Sequence, residues 1–182
     1  NNVDYMRNLT ERTLQLAQLN SPEVSLRVEK VDLASEIRNT IESLSSVFKE
    51  NGIEIVNNTT TPLDIEADRM LIKELIHNLV SNTIKYTNGD GVVTFGSFLK
   101  DDNVEISIKD TGIGMTIEQQ KRIFEEFYKA DDSRTDRSST GLGLTICKRI
   151  VENHGGSIRA ESQGSGHGTS VHFTLPIRQS EK

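Results

Sequence analysis

Several features of other protein classes are scarce or missing in this chain of 182 residues. Its single cysteine, Cys147, excludes an internal disulfide and is typical of a reducing compartment. Lys and Arg number 21 against 27 Asp and Glu, and the net charge of -6 argues against a basic nucleic-acid-binding face. No apolar run is long enough to cross a bilayer, and no signal peptide is recognisable. No Gly-x-x-x-x-Gly-Lys-Ser/Thr segment occurs, which excludes a P-loop site.

A segment with helical periodicity carries the first group of polar residues. At about 100° per residue, one face of that helix presents Asn78, Asn82, Lys85 and Tyr86. Much of the opposite side is apolar, and Asp68 is a candidate N-cap. Neutral amide oxygens suit Mg²⁺, an ammonium group attracts phosphate, and a phenol ring can stack on a base. The alternative interpretation is a solvated polar stripe without a ligand.

A second group follows an alternating apolar strand. Residues 104–108 deliver Asp110 to the end of the strand, where Gly112 and Gly114 let the backbone turn sharply. A carboxylate there can accept a hydrogen bond from the exocyclic amine of adenine, and the glycines let a flat base approach the main chain. Asp-x-Gly-x-Gly is weak when taken alone, and a plain turn after a strand is the alternative.

The third group opens another apolar-periodic segment and consists of Gly141, Leu142, Gly143 and Leu144. Glycines at a helix start expose backbone N–H groups, which together with the helix dipole form an anion site suited to phosphates. A flexible loop that merely ends at a helix is the alternative. The polar run of residues 129–140 fits either interpretation.

In order and spacing, these segments resemble the ATP-binding catalytic domain of sensor histidine kinases, which belongs to the GHKL class of ATPases. The resemblance covers nearly the whole chain. Residues 78–86 resemble the N box, 110–114 the G1 box, 124–127 the F box and 141–144 the G2 box, while 166–169 resemble the glycine-rich motif before the last strand. Each box is weak by itself, but five in the right order are a strong signal.

The resemblance implies a site for ATP and Mg²⁺. Asn82 would coordinate the metal with help from Asn78. Lys85 and, from a lid position, Lys129 would contact the phosphates, and Tyr86 would pack on the nucleotide. The implied catalytic set is Asn78, Asn82, Lys85 and Lys129. The implied nucleotide-binding set is Asn78, Asn82, Lys85, Tyr86, Asp110, Gly112, Gly114, Lys129, Gly141, Leu142, Gly143, Leu144 and Thr169.

The resemblance also implies that residues 129–140 form a mobile lid over ATP. Phe124 and Phe127 would anchor the near end of this lid. Arg134 and Arg137 are candidate lid cations, and plain solvated charge is the alternative interpretation of both arginines.

Position 78 bears on the mechanism. Hydrolysing members of the class carry a glutamate one helical turn before the metal-binding asparagine, and here that residue is Asn78. Because an amide cannot act as a general base for water, this favours transfer to a protein histidine over hydrolysis. Glu74, another turn upstream, is the only nearby carboxylate on that side of the helix and a weak candidate base.

A histidine kinase also needs a phosphoacceptor histidine, normally on a dimerising helical hairpin upstream and followed closely by an acidic residue. No histidine of this chain has that setting, and each is interpreted as structural: His77, His154, His167 and His172. Residues 1–19 have a near-heptad apolar rhythm that resembles the tail of the second helix of the hairpin. Since the chain lacks an initiator Met, it is expected to be a piece of a longer kinase.

The expected division is residues 1–22 as hairpin tail and linker, 23–178 as the catalytic ATP-binding domain, and 179–182 as a tail. Expected partners are the upstream dimerisation helices and a response regulator, with a homodimer in the full-length protein. Neither nucleic acid nor a membrane is expected to contact this piece. It is expected in the cytoplasm, whether or not the full-length protein is anchored in the cell membrane.

The pattern of elements predicts an α/β (α+β) two-layer sandwich, in which helices cover one face of a mixed sheet and an N-terminal helix comes from the dimerisation hairpin. A helix is expected over residues 33–51, and another follows a capping box at Thr116 and Gln119. Residues 101–103 are expected to turn between two strands of a hairpin. Strands are expected at residues 26–31, 53–56, 64–67, 92–99, 104–109, 157–162 and 169–175.

Three functions are compatible with the sequence. The first is the ATP-binding and catalytic domain of a two-component histidine kinase. The second, a hydrolysing GHKL ATPase, is disfavoured by Asn78 and by the absence of a following transducer domain. The third is a catalytically idle module that binds a partner such as a response regulator. It is disfavoured because an idle site has no need of Asn82, Asp110 and the glycines.

Overall fold

The computed structural model describes residues 2–87, 89–129 and 140–179. Within these ranges the helices are α1 (Asn2–Leu19), α2 (Leu33–Ser43), α3 (Ser45–Glu50), α4 (Arg69–Tyr86), α5 (Ile117–Arg122) and α6 (Gly143–Asn153). The strands are β1 (Val28–Asp32), β2 (Glu54–Asn58), β3 (Asp64–Asp68), β4 (Val92–Lys100), β5 (Asn103–Asp110), β6 (Ser157–Glu161) and β7 (Ser170–Pro176). Every predicted strand is present, with ends within two residues of the expected positions.

The main sheet is mixed, as predicted. Its strand order is β2-β4-β5-β7-β6, in which β2 pairs with β4 in parallel and the other neighbours are antiparallel. The predicted turn joins β4 to β5, where Lys100 pairs with Asn103. A separate two-stranded sheet joins β1 to β3 in antiparallel fashion.

One face of the main sheet forms the core with the helices. Along β5 the buried side chains alternate with more exposed ones, so Val104, Ile106 and Ile108 all point into the core. Phe95 and Phe173 extend the same face on the neighbouring strands and are fully buried. Burial of each large apolar side chain contributes about 1.5–3 kcal/mol relative to its exposure. The two-layer arrangement is thereby confirmed.

The helix expected over residues 33–51 is interrupted, so that prediction was wrong in one respect. Helix α2 ends at Ser43, Leu44 leaves helical geometry at φ -103 and ψ 7, and α3 begins one residue later. The Ser43 hydroxyl donates to the Thr40 carbonyl at 2.8 Å. Serine side chains compete in this way for helix carbonyls, and three serines surround the break. The predicted apolar face survives the break, since Phe48 is buried in the core.

Capping interactions position α4, which carries the N-box residues. The Asp68 side chain accepts hydrogen bonds from the Met70 and Leu71 N–H groups, which confirms it as the N-cap. His154 supports the same turn: its Nε2 accepts from the Asp68 N–H at 3.0 Å while its Nδ1 donates to the Ile150 carbonyl at 2.7 Å. This buried histidine is therefore structural, as predicted.

The N-terminal helix α1 is present as predicted and packs against α6, and its Arg12 and Gln15 side chains form hydrogen bonds with Asn78 and Glu74 of α4. Leu16 and Leu19 are buried in the same core as the sheet. The Asn153 side chain donates to the Leu19 carbonyl at 3.0 Å. The sequence did not predict this packing, and the division of the chain near residue 22 stays a prediction. No helix in the described ranges is both long and apolar enough to span a membrane.

Candidate nucleotide-binding site

A single cavity of about 470 Å³ collects most of the predicted site residues. It lies among α4, the end of β5, the start of α6 and the N-terminal helix α1. Its volume is within the roughly 300–1,000 Å³ range of small-molecule sites. The predicted residues that line it are Asn78, Asn82, Lys85, Tyr86, Asp110, Gly114, Lys129, Gly141, Gly143, Leu144 and Thr169.

Two residues of the predicted set, Gly112 and Leu142, support the cavity without lining it. A Cβ atom on Gly112 would lie 2.1 Å from the Tyr86 carbonyl oxygen, so only glycine fits this crossing of α4 and the turn after β5. The Leu142 side chain is fully buried in the core. Their predicted contribution to nucleotide binding stays a prediction.

Asp110 lies at the end of β5 and is only 6% exposed. Its Oδ1 accepts hydrogen bonds from the Gly112 N–H at 2.8 Å and from the Thr169 N–H at 3.2 Å. Oδ1 of Asp110 accepts both of the hydrogen bonds that described residues donate to this carboxylate. Oδ2 is therefore left for a donor on a ligand. Burial of the carboxylate raises the pKa of Asp110 above its ordinary value, and the two N–H groups oppose that rise.

Apolar side chains around Asp110 complete a surface suited to a flat base. Beyond the predicted set, the cavity is lined by Ile113, Met115, Ile123, Tyr128 and Val171. Sequence reasoning missed these residues. A usable signal existed for Ile113 and Met115, because they alternate with the glycines of the Asp-x-Gly-x-Gly turn. The others come together only through tertiary packing.

The start of α6 forms a second part of the cavity. Leu142 occupies the N-cap position and provides no side-chain hydrogen bond, so no described side chain caps the first N–H groups of α6. Among the described residues, the atoms nearest to a Cβ atom on Gly143 would be Arg12 Nη1 at 3.9 Å and Asn78 Oδ1 at 4.0 Å. Protein packing therefore does not require a glycine at Gly143. An uncapped helix start with open space above it is suited to an anion.

The two asparagines of α4 have different surroundings. Asn82 is half-buried, and no described residue forms a hydrogen bond with its side chain. Asn78 is 7% exposed, and its Oδ1 accepts a hydrogen bond from Arg12 Nη1 at 3.3 Å. Its Nδ2 is buried without a hydrogen-bond acceptor among the described residues. The sequence did not predict the contribution of Arg12, nor that of Asn8, which also lines the cavity.

Two lysines give the cavity positive charge. The Lys85 Nζ lies 5.2 Å from the centroid of the Tyr86 ring, so the ammonium group and the phenol ring are neighbours on the cavity wall. Lys129 is half-buried and lines the cavity at the end of the described segment. The predicted lid cations Arg134 and Arg137 lie outside the described residues.

The two phenylalanines that are predicted to anchor the lid differ in burial, and their anchoring stays a prediction because residues 130–139 lie outside the described ranges. Phe124 is half-buried, and its carbonyl accepts a hydrogen bond from the Thr145 hydroxyl at 3.2 Å. Phe127 is 55% exposed, with φ at 62. The backbone of Phe127 lies under Gly141, where a Cβ atom would approach its carbonyl carbon to 2.8 Å. Phe124 is thus the more buried of the two side chains.

The donor groups of the cavity fit a metal ion that arrives with phosphate. In the described part of the chain, no group of three or more His, Cys, Asp or Glu side chains could hold a metal. The available protein donors near the start of α6 are amide oxygens of the asparagines. Since Mg²⁺ takes few protein oxygens and keeps waters and phosphate oxygens, this donor set fits Mg²⁺ bound together with a nucleotide.

A comparison with known families decides the classification. The model of the family described as histidine kinase-, DNA gyrase B- and HSP90-like ATPases matches residues 67–179. The chain belongs to this family. The match begins just before α4 and ends after β7, so it contains the asparagines, Asp110 and the glycine-rich helix start.

Individual relatives are sensor histidine kinases. The sensor histidine kinase WalK of Bacillus subtilis (strain 168) is 32% identical over 186 residues, which cover 100% of this chain and 30% of WalK. The crystal structure of full-length ShkA in complex with AMPPNP matches with a TM-score of 0.84 and 28% identity, over 98% of this chain and 37% of ShkA. Histidine kinase ThkA in complex with the response regulator TrrA matches with a TM-score of 0.78 and 26% identity, over 97% of this chain and 48% of ThkA. The chain thus spans less than half of each of these relatives.

Proposed function

We propose that this chain binds Mg-ATP and transfers the γ-phosphate to a histidine on a dimerisation domain, which passes it to an aspartate of a response regulator. The observation that carries the proposal is the composition of one cavity. It contains a buried carboxylate with one oxygen left for a donor, an uncapped helix start and a pair of amide side chains. These are the groups that adenine, phosphate and a phosphate-bound cation require.

Asp110 would select the base. A donor on adenine would meet Oδ2, while Oδ1 stays bound to the turn after β5. A buried ionised carboxylate without such a donor costs free energy, because water is excluded from it. In a module without a ligand, the buried carboxylate would lower stability and nothing would offset this loss. The raised pKa of Asp110 therefore favours a ligand at this position.

The start of α6 and the two lysines would bind the phosphates. The uncapped N–H groups of α6 provide donors, and Gly143 leaves room for the phosphate chain to approach them. Lys85 and Lys129 would neutralise charge on the phosphate oxygens. Asn82 and Asn78 would hold Mg²⁺, which when bound withdraws charge from the phosphates and fixes their orientation.

The cavity favours transfer to a histidine over attack by water. Asp110 is the only carboxylate among the described residues that line it. Glu74 is engaged by a hydrogen bond from the Gln15 side chain and does not line the cavity. Without a carboxylate beside the phosphates, no described side chain is suited to deprotonate water. A histidine imidazole is already nucleophilic, so positioning and charge neutralisation are enough.

The acceptor histidine and the response regulator would lie outside the cavity. No described residue that lines the cavity is a histidine. WalK and ThkA are named histidine kinases, and the ThkA structure contains a response regulator, which supports the same partners here. We extend the proposal to a homodimer of the full-length protein that works in the cytoplasm.

The test is autophosphorylation of the full-length protein with ATP labelled at the γ-phosphate. The proposal predicts label on a histidine, stable in alkali and lost in acid, and much less label in the Asp110→Asn variant at an ATP concentration that labels the parent. Rapid release of labelled phosphate to water, without labelled protein, would instead assign the chain to the hydrolysing members of the family.

Asn78→Glu tests the reason for slow hydrolysis. The substitution supplies a carboxylate where the hydrolysing relatives have one, so the rate of phosphate release from ATP should rise. A phosphate-release assay on the parent and the variant measures this rate. An unchanged rate would show that the missing base is not what limits hydrolysis.

A further inference from the structure

The N-terminal helix α1 closes one side of the cavity through Arg12. We infer that this contact and Mg-ATP binding oppose each other, so that α1 docked on α4 lowers the affinity of the site for the metal-bound nucleotide. The inference rests on the proposed function, because it concerns the same asparagine pair. It assigns to α1 a role in controlling access to the site.

A chain of hydrogen bonds connects α1 to the asparagine. Arg12 Nε donates to Asn8 Oδ1 at 2.9 Å, and Arg12 Nη1 donates to Asn78 Oδ1 at 3.3 Å. A guanidinium group has only donors, so it fixes the Asn78 amide with its oxygen towards α1. The Nδ2 of Asn78 is then left in a buried place where no described residue accepts its hydrogen bond. This arrangement satisfies the oxygen and leaves the nitrogen unsatisfied, so it is not the best that Asn78 can reach.

Arg12 lies in the part of the cavity that the phosphates and the metal would need. Both Arg12 Nη1 and Asn78 Oδ1 are about 4 Å from the position of a Cβ atom on Gly143, the first residue of α6. A cation bound by Asn78 would meet a second full positive charge there, as well as the positive end of the helix dipole. The oxygen that the metal would use is the one that Arg12 occupies.

The rest of the α1 interface does not depend on Arg12. Leu16 and Leu19 are buried in the core, and the Leu19 carbonyl accepts a hydrogen bond from Asn153. On the N-terminal side of Arg12, Leu9 is half-buried and packs against the core, whereas Val3 and Met6, nearer the start of the helix, are 70% and 65% exposed. Release of Arg12 would therefore loosen the first part of α1 while its last turn stays docked.

The experiment compares Arg12→Ala with Arg7→Ala in the same chain. Arg7 lies on the same helix, is exposed, forms an ion pair with Asp4 at 3.7 Å and does not line the cavity. Because both residues are arginines, the two substitutions change the net charge equally. Calorimetric titration with AMPPNP and Mg²⁺ should show binding about fivefold tighter for Arg12→Ala, at the lower end of coupling between sites, and unchanged binding for Arg7→Ala. Arg12→Lys, which keeps the charge, should bind more nearly like the parent.

Hydrogen exchange gives a second readout. Mg-AMPPNP should speed exchange of the amides near Arg12 in the parent, and the Arg12→Ala variant should exchange rapidly there without nucleotide. If the parent binds Mg-AMPPNP and Arg12→Ala binds equally or more weakly, the competition is refuted. Weaker binding would make Arg12 a phosphate ligand instead. If the parent binds no nucleotide, the proposed function fails and the competition fails with it.

Discussion

The two ends of the cavity are built differently. At the end of β5, Asp110 has its Oδ1 held by two backbone N–H groups, and the turn that follows is fixed by Gly112. At the start of α6 the N-cap residue Leu142 provides no side-chain hydrogen bond, and the Asn78 nitrogen has no acceptor among the described residues. At the base end the chain itself holds one carboxylate oxygen in place and leaves the other for a ligand, whereas at the phosphate and metal end the described residues hold neither the helix start nor the Asn78 nitrogen.

This difference indicates how a ligand would bind at each end of the cavity. Because folding has already ordered the Asp110 carboxylate, the base can bind without rearrangement of the strand and without a further loss of conformational entropy there. At the phosphate end, the Asn78 oxygen is bound by Arg12 of α1 and its nitrogen has no acceptor among the described residues, so this end can change with the nucleotide and with α1. Substitutions at the base end should therefore weaken binding whether or not metal is present, and substitutions at the phosphate end should change the dependence of binding on metal and phosphate.

Asp110→Asn should have the largest effect. The new amide can still accept the Gly112 and Thr169 N–H groups through its oxygen, but its nitrogen would face the amine of the base. AMPPNP affinity should fall by about 10- to 100-fold, as expected for the loss of a hydrogen bond to a charged group. The melting temperature should not fall, because a costly buried charge is removed.

The matched control is Asp102→Asn, the same chemical change in the exposed turn between β4 and β5. It should leave affinity and melting temperature unchanged. If Asp110→Asn binds AMPPNP like the parent, the Asp110 carboxylate does not form the proposed hydrogen bond with the base.

Asn82→Ala should remove the metal dependence of binding. Its side chain has no hydrogen bond to a described residue, so the truncation leaves no buried group unpaired. Affinity for AMPPNP with Mg²⁺ should fall about tenfold, the lower end of the losses seen when groups that support a metal are removed. In EDTA the variant and the parent should bind equally weakly. An equal loss in both buffers would assign Asn82 to the nucleotide and not to the metal.

Two glycine substitutions distinguish the base end of the cavity from the phosphate end. Gly112→Ala places a Cβ atom 2.1 Å from the Tyr86 carbonyl and should destabilise the chain by about 1–3 kcal/mol. In Gly143→Ala the new Cβ atom would lie 3.9 Å from the nearest atom of a described residue, and alanine favours the helix, so stability should hold while affinity falls by up to about tenfold. Urea unfolding and calorimetric titration of both variants check this pair. Loss of stability in Gly143→Ala would contradict the assignment of that glycine to the ligand.

Acidic pH should produce the smallest change in nucleotide affinity, through Asp110 at the base end of the cavity. Burial raises the pKa of Asp110 in the unliganded chain, so the folded chain binds the proton of this carboxyl group more strongly than the unfolded chain does. The resulting contribution to the free energy of unfolding is present at low pH and is lost as the pH rises through the raised pKa. An amine donor favours the ionised carboxylate, so affinity should fall as the pH drops from neutral towards the raised pKa of Asp110. Titrations at several pH values measure this, and Asp110→Asn should lack the dependence.

The sequence was sufficient for features that depend on local spacing. The Asp68 N-cap, the capping box at Thr116, the alternating strand before Asp110 and the glycine-rich start of α6 all lie where their patterns predicted. Each follows from interactions within a few residues along the chain, which periodicity and capping preferences encode directly.

The features that the sequence missed depend on contacts between distant segments. Arg12 reaches Asn78 across 66 positions in the chain, and no local pattern distinguishes it from Arg7. The exposure of the Phe127 side chain and the close approach of its backbone to Gly141 also belong to the tertiary packing. The break at Leu44 is a local exception, where the Ser43 hydroxyl donates to the Thr40 carbonyl within a segment whose apolar period is otherwise helical.

The most direct test of the account is a calorimetric titration of the chain with AMPPNP, first with Mg²⁺ and then with EDTA. The account predicts one binding site per chain, with affinity that falls clearly when the metal is removed, because base, phosphate and metal would share one cavity. Absence of binding in both buffers would contradict the account and would favour a module that uses this fold only to bind a protein partner.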